Sequence, residues 1–153
     1  MARPAVYYHP RFLDHNTGDH PEAPERLVAA REAILASKLE VEWVTPRPAP
    51  VEAVERVHDA AYVTVVRRMS QTGGGRLDWD TVVSPASYEA ALLAVGAGIE
   101  AVERARAGGS APCCWCGLPG TTPAGARGWA SASSTTSRRR PRTRWRSWAW
   151  RGC

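Results

Sequence analysis

The sequence predicts an α/β protein that forms one part of a larger sheet fold, and three observations predict it. Short apolar runs that read as strands alternate with segments of helical period from Ala5 to Arg106. The longest helical segment, from Pro85 to about Arg106, is apolar almost all round (Ala90, Leu92, Leu93, Val95, Ile99, Val102), and such a helix needs cover on several sides. Two short strands and a few helices offer too little surface to supply that cover, so further layers are expected.

Each element follows from local chemistry. Ala5 to Tyr8 is a short apolar run and reads as the first strand. His9 to Pro21, rich in His, Asp, Asn, Gly and Pro, reads as a loop. Pro24 opens a helix with Leu27, Val28, Ile34 and Leu35 on one face and Arg31 and Glu32 opposite. Val41 to Val44 alternates apolar and acidic residues as a second strand, ended by Pro46, Pro48 and Pro50. Val51 to His58 and Asp59 to Met69 read as two short helices. The second is capped by Asp59 and turns Tyr62, Val65, Val66 and Met69 inward. Gln71 to Arg76, with three consecutive glycines, reads as a flexible loop. Ser84-Pro85 is a good helix start, because proline at the first helical position gives up no needed N–H. Gly96 and Gly98 would let neighbours approach that last helix closely.

Charge and composition divide the chain into residues 1–109 and 110–153. All fifteen acidic residues lie between Asp14 and Glu103, whereas residues 110–153 hold eight arginines, five of the seven tryptophans and all four cysteines. The net charge of +5 therefore describes neither part. Residues 1–109 read as the folded part, and residues 110–153 as a disordered Arg/Trp/Cys-rich tail outside it. Met1 to Tyr8 lacks the basic start and long apolar stretch of a signal peptide, and no apolar run approaches the roughly 20 residues of a spanning helix. A cytoplasmic location and no membrane span are expected.

The segment His15-Asn16-Thr17-Gly18-Asp19-His20-Pro21-Glu22-Ala23-Pro24-Glu25-Arg26-Leu27 resembles the N-terminal signature of the histone deacetylase family. It is most similar to the bacterial branch of acetoin-utilisation and acetylpolyamine amidohydrolase proteins. Val57-His58-Asp59-Ala60-Ala61-Tyr62, Asp80-Thr81-Val82-Val83-Ser84-Pro85 and the Ala-rich helix after Tyr88 follow in the family's order, so the resemblance covers about Ala5 to Gly109. It implies an arginase-like three-layer fold around a mainly parallel sheet. It also implies hydrolysis of acetyl-lysine or acetylpolyamine amides by a Zn2+ ion held by two aspartates and a histidine, with a tandem histidine pair for protons and a tyrosine on the acyl oxygen. Zinc acidifies its bound water, a base removes the proton, and fixed donors hold the oxyanion. In the family these groups all follow the Ala-rich helix.

In this chain none of them does. No histidine follows His58 and no acidic residue follows Glu103. A neighbouring reading phase, joining the last base of each codon to the first two of the next, permits Arg-Pro-Pro-Gly-His-His-Ala from Cys116 to Pro123. It permits Met-Gly-Phe-Cys-Leu-Phe-Asn-Asn-Val from Gly128 to Ser137. The first string resembles the family's tandem-histidine loop. The tail therefore reads as a frameshifted continuation, with the phase change near Gly109 to Pro112, and the chain as a truncated, inactive family member without catalytic or metal-binding residues of its own.

Single residues follow from that reading. The resemblance places His20, Glu22, Arg26, Asp80 and Ser84 at the substrate rim or at an internal channel beneath the site. Arg26 is equally accounted for as a surface helix arginine, and Ser84 as a helix cap. His9, His15 and His20, with Asp14 and Asp19, could be read as metal ligands, but a polar loop that positions the rim is the favoured reading. His58 and Tyr62 read as core or turn residues. Cys113, Cys114 and Cys116 lack a paired C-x₂-C set and a nearby histidine, so no metal is assigned to them. The rival class is a small basic protein whose Arg138-Arg139-Arg140-Pro141-Arg142 run and Trp145, Trp148 and Trp150 bind nucleic acid or an anionic membrane.

Overall fold

The structure, a computed structural model, describes residues 3–20, 23–109 and 112–114. The expected first strand is β1, Ala5–Tyr7, and all three of its residues are buried. It is the middle of a three-stranded sheet in the order β2-β1-β5, with β2 at Glu42–Val44 and β5 at Pro112–Cys114. Both neighbours run parallel to it, with Tyr7 opposite Val44 on one side and Cys114 on the other. The second strand is thus placed as expected. Pro112–Cys114, which follow the expected division after Gly109, pair with β1. The other tail residues lie outside the described ones.

Parallel strands require a crossover between them, and helices supply it here. Helix α1, Glu25–Ala36, connects β1 to β2. Helices α2, Val51–Glu55, and α3, Ala60–Gln71, follow β2. A two-residue ladder joins β3, Gly75–Arg76, to β4, Val82–Val83, antiparallel. Helix α4, Ser87–Arg106, then leads to β5.

Side chains alternate across a strand, so Ala5 and Tyr7 share one face of the sheet with Val44. Ala97 and Ala101 of α4 pack on that face. Small residues bring the helix close to the sheet. At Gly96 the helix also meets the segment that follows β2: a Cβ there would lie 1.8 Å from the Arg47 carbonyl oxygen. Gly98, expected to play the same part, faces open space. A second cluster forms where the 3-10 helix Pro10–Asp14, inside the segment expected to be plain loop, drives Phe12 between Leu27, Ala90 and Leu93.

Several expected faces are corrected. On α1 only Leu27 is buried, and Leu35 is 54% exposed, because no described element lies over that side. Arg31 is not turned away from the fold. Its guanidinium sits 5.6 Å from the Tyr8 ring centre and 5.9 Å from that of Trp43, a cation–π arrangement at the sheet. Asp59 does cap α3, accepting the Ala61 N–H at 2.7 Å. Yet the buried residues of α3 are Val63 and Ser70, and Tyr62 and Val65 are exposed. The helix is rotated from the expected face because Ser70 turns inward to accept the Tyr88 N–H at 3.2 Å. The glycine loop is partly ordered: Gly73, Gly74 and Gly75 take φ of 103°, 94° and 157°, and Gly75 enters the β3–β4 ladder. Finally, α4 begins at Ser87 and not at Pro85.

The Arg104 guanidinium pairs with the Glu42 carboxylate and so ties the end of α4 to β2. That hydrogen bond holds the Glu42 carboxyl below the ordinary glutamate range. A lowered carboxyl contributes stability that is complete above the unfolded-state value and is lost as pH falls through the folded one. Acid titration of the melting temperature should therefore fall in that window, and Glu42→Gln should flatten this part of the curve. An unchanged profile would show that the pair contributes nothing. Among the described residues no helix is long and apolar enough to cross a membrane.

Candidate functional site

The candidate site is built by the loop between β1 and α1 meeting the start of α4. His9 begins the loop by accepting the Arg11 N–H on Nδ1 at 3.0 Å, which caps the 3-10 helix. With Phe12 fixed in the core, the chain delivers His15 to the N-terminal end of α4. His15 is buried there, its Nδ1 2.6 Å from the Ser87 hydroxyl. Ser87 Oγ also accepts the Ser84 N–H at 2.6 Å and lies 3.1 Å from Ser84 Oγ, which in turn is 3.4 Å from His15 Nδ1. One imidazole and two hydroxyls thus lock the loop to the helix start. The cluster is enclosed, so it positions the loop and does not face solvent chemistry.

Beyond it the loop turns on Asn16, whose Oδ1 accepts the Gly18 N–H at 2.8 Å, and on Gly18 at φ 67°. His20 then reaches the β3–β4 turn, where its Nε2 meets Asp80 Oδ1 at 3.0 Å, a contact spanning 60 positions of sequence. The turn is itself ordered. Asp78 Oδ1 accepts the Asp80 N–H at 2.9 Å, and the Arg76 guanidinium donates to the Trp79 carbonyl at 3.0 Å. Hydrogen bonds from the Asp80 N–H and from Thr81 hold the Asp78 carboxyl below its ordinary value. Trp79, 84% exposed, projects from this turn next to Asp80. A shallow depression lined by Leu13, Asn16, Gly18, Pro24, Glu25 and Val28 runs along the other side of the loop.

Of the residues expected at the rim, His20 and Asp80 come together directly. Ser84 lies inside the buried cluster and does not cap α4 through its side chain: the Ser87 N–H goes to the Ser84 main-chain carbonyl at 3.0 Å. Arg26 is exposed in the first turn of α1, and Glu22 lies outside the described residues. Sequence reasoning read His15 as one more polar loop residue and passed over Ser87. The Ser84-x-x-Ser87 spacing at a helix start was the available signal, since hydroxyls three positions apart there commonly satisfy backbone donors. His58 is exposed, its ring 6.1 Å from that of Tyr62.

These residues do not fit a zinc centre. Among the described residues no three His, Cys, Asp or Glu side chains gather where they could share an ion, and a protein zinc site takes three or four such donors. His20 and Asp80 supply two. Cys113 and Cys114 lie on β5 outside any disulfide among the described residues, and Cys114 Sγ donates to the Ala97 carbonyl at 3.5 Å. Cys116 lies outside the described residues.

Comparison with known proteins gives a consistent picture. Residues 20–125 match the family described as Histone deacetylase domain. A probable deacetylase of Methanothermobacter thermautotrophicus is 32% identical over 100 residues, which is 65% of this chain and 30% of that protein. A histone deacetylase-like amidohydrolase of Pseudomonas aeruginosa is 36% identical over 96 residues, 58% of this chain and 24% of that protein. Among solved structures, the HD domain of HDA15 superposes with a TM-score of 0.66 at 24% identity, covering 71% of this chain and 33% of that one. That last likeness establishes the fold. The chain spans about a third or less of the length of the proteins it matches.

Proposed function

Because this chain belongs to the histone deacetylase domain family, we propose that it supplies the N-terminal layer of a zinc-dependent amidohydrolase, with acetylated lysine or acetylpolyamine amides as the substrates of the intact protein. In that reading the His20–Asp80 pair and the turn carrying Trp79 form part of the substrate entrance. The buried His15, Ser84 and Ser87 hold the entrance loop in place. Glu22 and Arg26 belong to the same rim or to the channel beneath it.

We further propose that residues 1–153 as written do not hydrolyse such amides. One observation carries this: after α4 the sequence holds no histidine and no carboxylate, so the donors that a zinc-bound water requires do not follow. The neighbouring reading phase, with its paired histidines, supports the view that those donors were encoded and are now read out of phase. Zinc, when bound to an intact family member, acidifies water for attack on the amide carbonyl. The residues of this chain would orient the substrate and exclude solvent.

A fluorogenic acetyl-lysine assay on the purified chain, with and without added zinc, is expected to give no turnover above the buffer control. Chelator-sensitive turnover that returns with zinc would overturn the inactivity. Finding neither aspartate nor histidine donors in the coding sequence beyond α4, in any phase, would remove the basis for the deacetylase assignment of the intact protein.

A further inference from the structure

At β5 the sequence sits badly in the place the fold gives it. A strand in an all-parallel sheet is covered on both faces and is ordinarily a continuous run of branched apolar residues. Buried Ala5-Val6-Tyr7 suits that setting. β5 does not: after Pro112, tolerated as the first residue of a strand, it carries two cysteines in place of branched apolar residues, and both are exposed.

The codons beneath β5 contain a better strand. Join the last base of each codon to the first two of the next. Cys113–Cys114 and Cys114–Trp115 then both read pyrimidine-T-G, which is leucine whichever cysteine codon is used. Trp115–Cys116 reads GTG, which is valine. Leu-Leu-Val is therefore forced, with no freedom of codon choice. The third phase, starting from the second base, places a forced glycine at the last of these positions and weakens the strand.

We infer that the coding sequence has lost a single base within the codons for residues 107–111. The sign follows from the phase. Loss of one base makes the original codons start one base early, on the last base of each written codon, whereas gain of one would start them on the second. The location follows from the fold. α4 is sound as written through Ala101 on the sheet and ends at Arg106, where Gly108 turns the chain at φ 77°. From residue 112 the other phase makes the better strand. A change confined to this connection leaves both α4 and the register of β5 on β1 intact. The inference deepens the deacetylase reading, and rests on it only for what lies beyond the strand.

The test is to insert one base at codon 110 of the gene and, separately, two bases. Each product is compared with the full chain as written by thermal unfolding and by mass spectrometry of the peptide spanning β5. The one-base product is expected to contain Leu-Leu-Val, to read on past codon 153, and to melt about 10 °C or more above the chain as written. The two-base product should not. A one-base product that terminates at or before codon 153, or that melts no higher than the original, overturns the inference. A product that melts higher yet shows no zinc-dependent amide hydrolysis leaves the base loss standing and removes the deacetylase reading instead.

Discussion

Gly96→Ala is expected to destabilise the fold by about 2–3 kcal/mol, although alanine is the better helix former by about 1 kcal/mol. The two effects oppose each other, and geometry decides between them. The new methyl would stand 1.8 Å from the Arg47 carbonyl oxygen and 3.0 Å from the Ala49 nitrogen, both backbone atoms that cannot rotate away. Relief requires the 47–49 segment to lift from α4, and that breaks the bond from the Ala49 N–H to the Leu92 carbonyl, now 2.9 Å. Gly98→Ala provides the control on the same helix. Nothing lies within 4 Å of its Cβ position, so the propensity gain stands alone and about 0.5–1 kcal/mol of stabilisation is expected. Thermal unfolding followed by helical circular dichroism separates the pair. Equal shifts of the two variants would contradict the close approach.

Phe12→Ala should cost more still, about 3–5 kcal/mol, out of the 5–15 kcal/mol that a domain ordinarily has in total. Phe12 is wholly buried between two helices, touching Leu27 of α1 and Ala90 and Leu93 of α4, so neither helix can close the cavity without leaving other contacts. The loss should also appear at a distance. Phe12 anchors the 3-10 helix that leads to His15, so amide exchange at Ser84 and Ser87 should accelerate together with that of the loop. Phe12→Leu, which keeps most of the volume, should retain the slow exchange. Protection at Ser84 and Ser87 that survives Phe12→Ala would mean that the hydroxyl cluster holds the loop without the core.

Much of this arrangement could be read from the sequence where the determinant is local. Ala5-Val6-Tyr7 has no polar residue to place outward and had to be a buried strand. Asp59 before an apolar helical period had to be a cap. What could not be read depends on what lies across space. Val28 and Leu35 have the spacing of a buried face, but burial needs a neighbour, and none of the described elements covers Leu35. Gly96 and Gly98 are indistinguishable as letters, and only the course of the 47–49 segment separates them. The helix start was misplaced by two residues because Ser84 and Ser87 satisfy one another in a turn, which Ser-Pro statistics do not register. At the rim, the resemblance pointed to His20 and Asp80 separately. Their pairing across 60 positions has no local signature.

The placement of β1 has a consequence for how the chain is made. Its partner on one side is β2, some forty residues away, but on the other it is β5, with Ala5 opposite Pro112. At a synthesis rate of roughly 5–20 residues per second, the innermost strand leaves the ribosome several seconds before its second neighbour exists. Throughout that interval an apolar edge is open to any extended segment nearby, in the same polypeptide or another. Slow codons between the two strands should lengthen the exposure and raise the aggregated fraction, while a holdase that grips extended apolar segments should lower it.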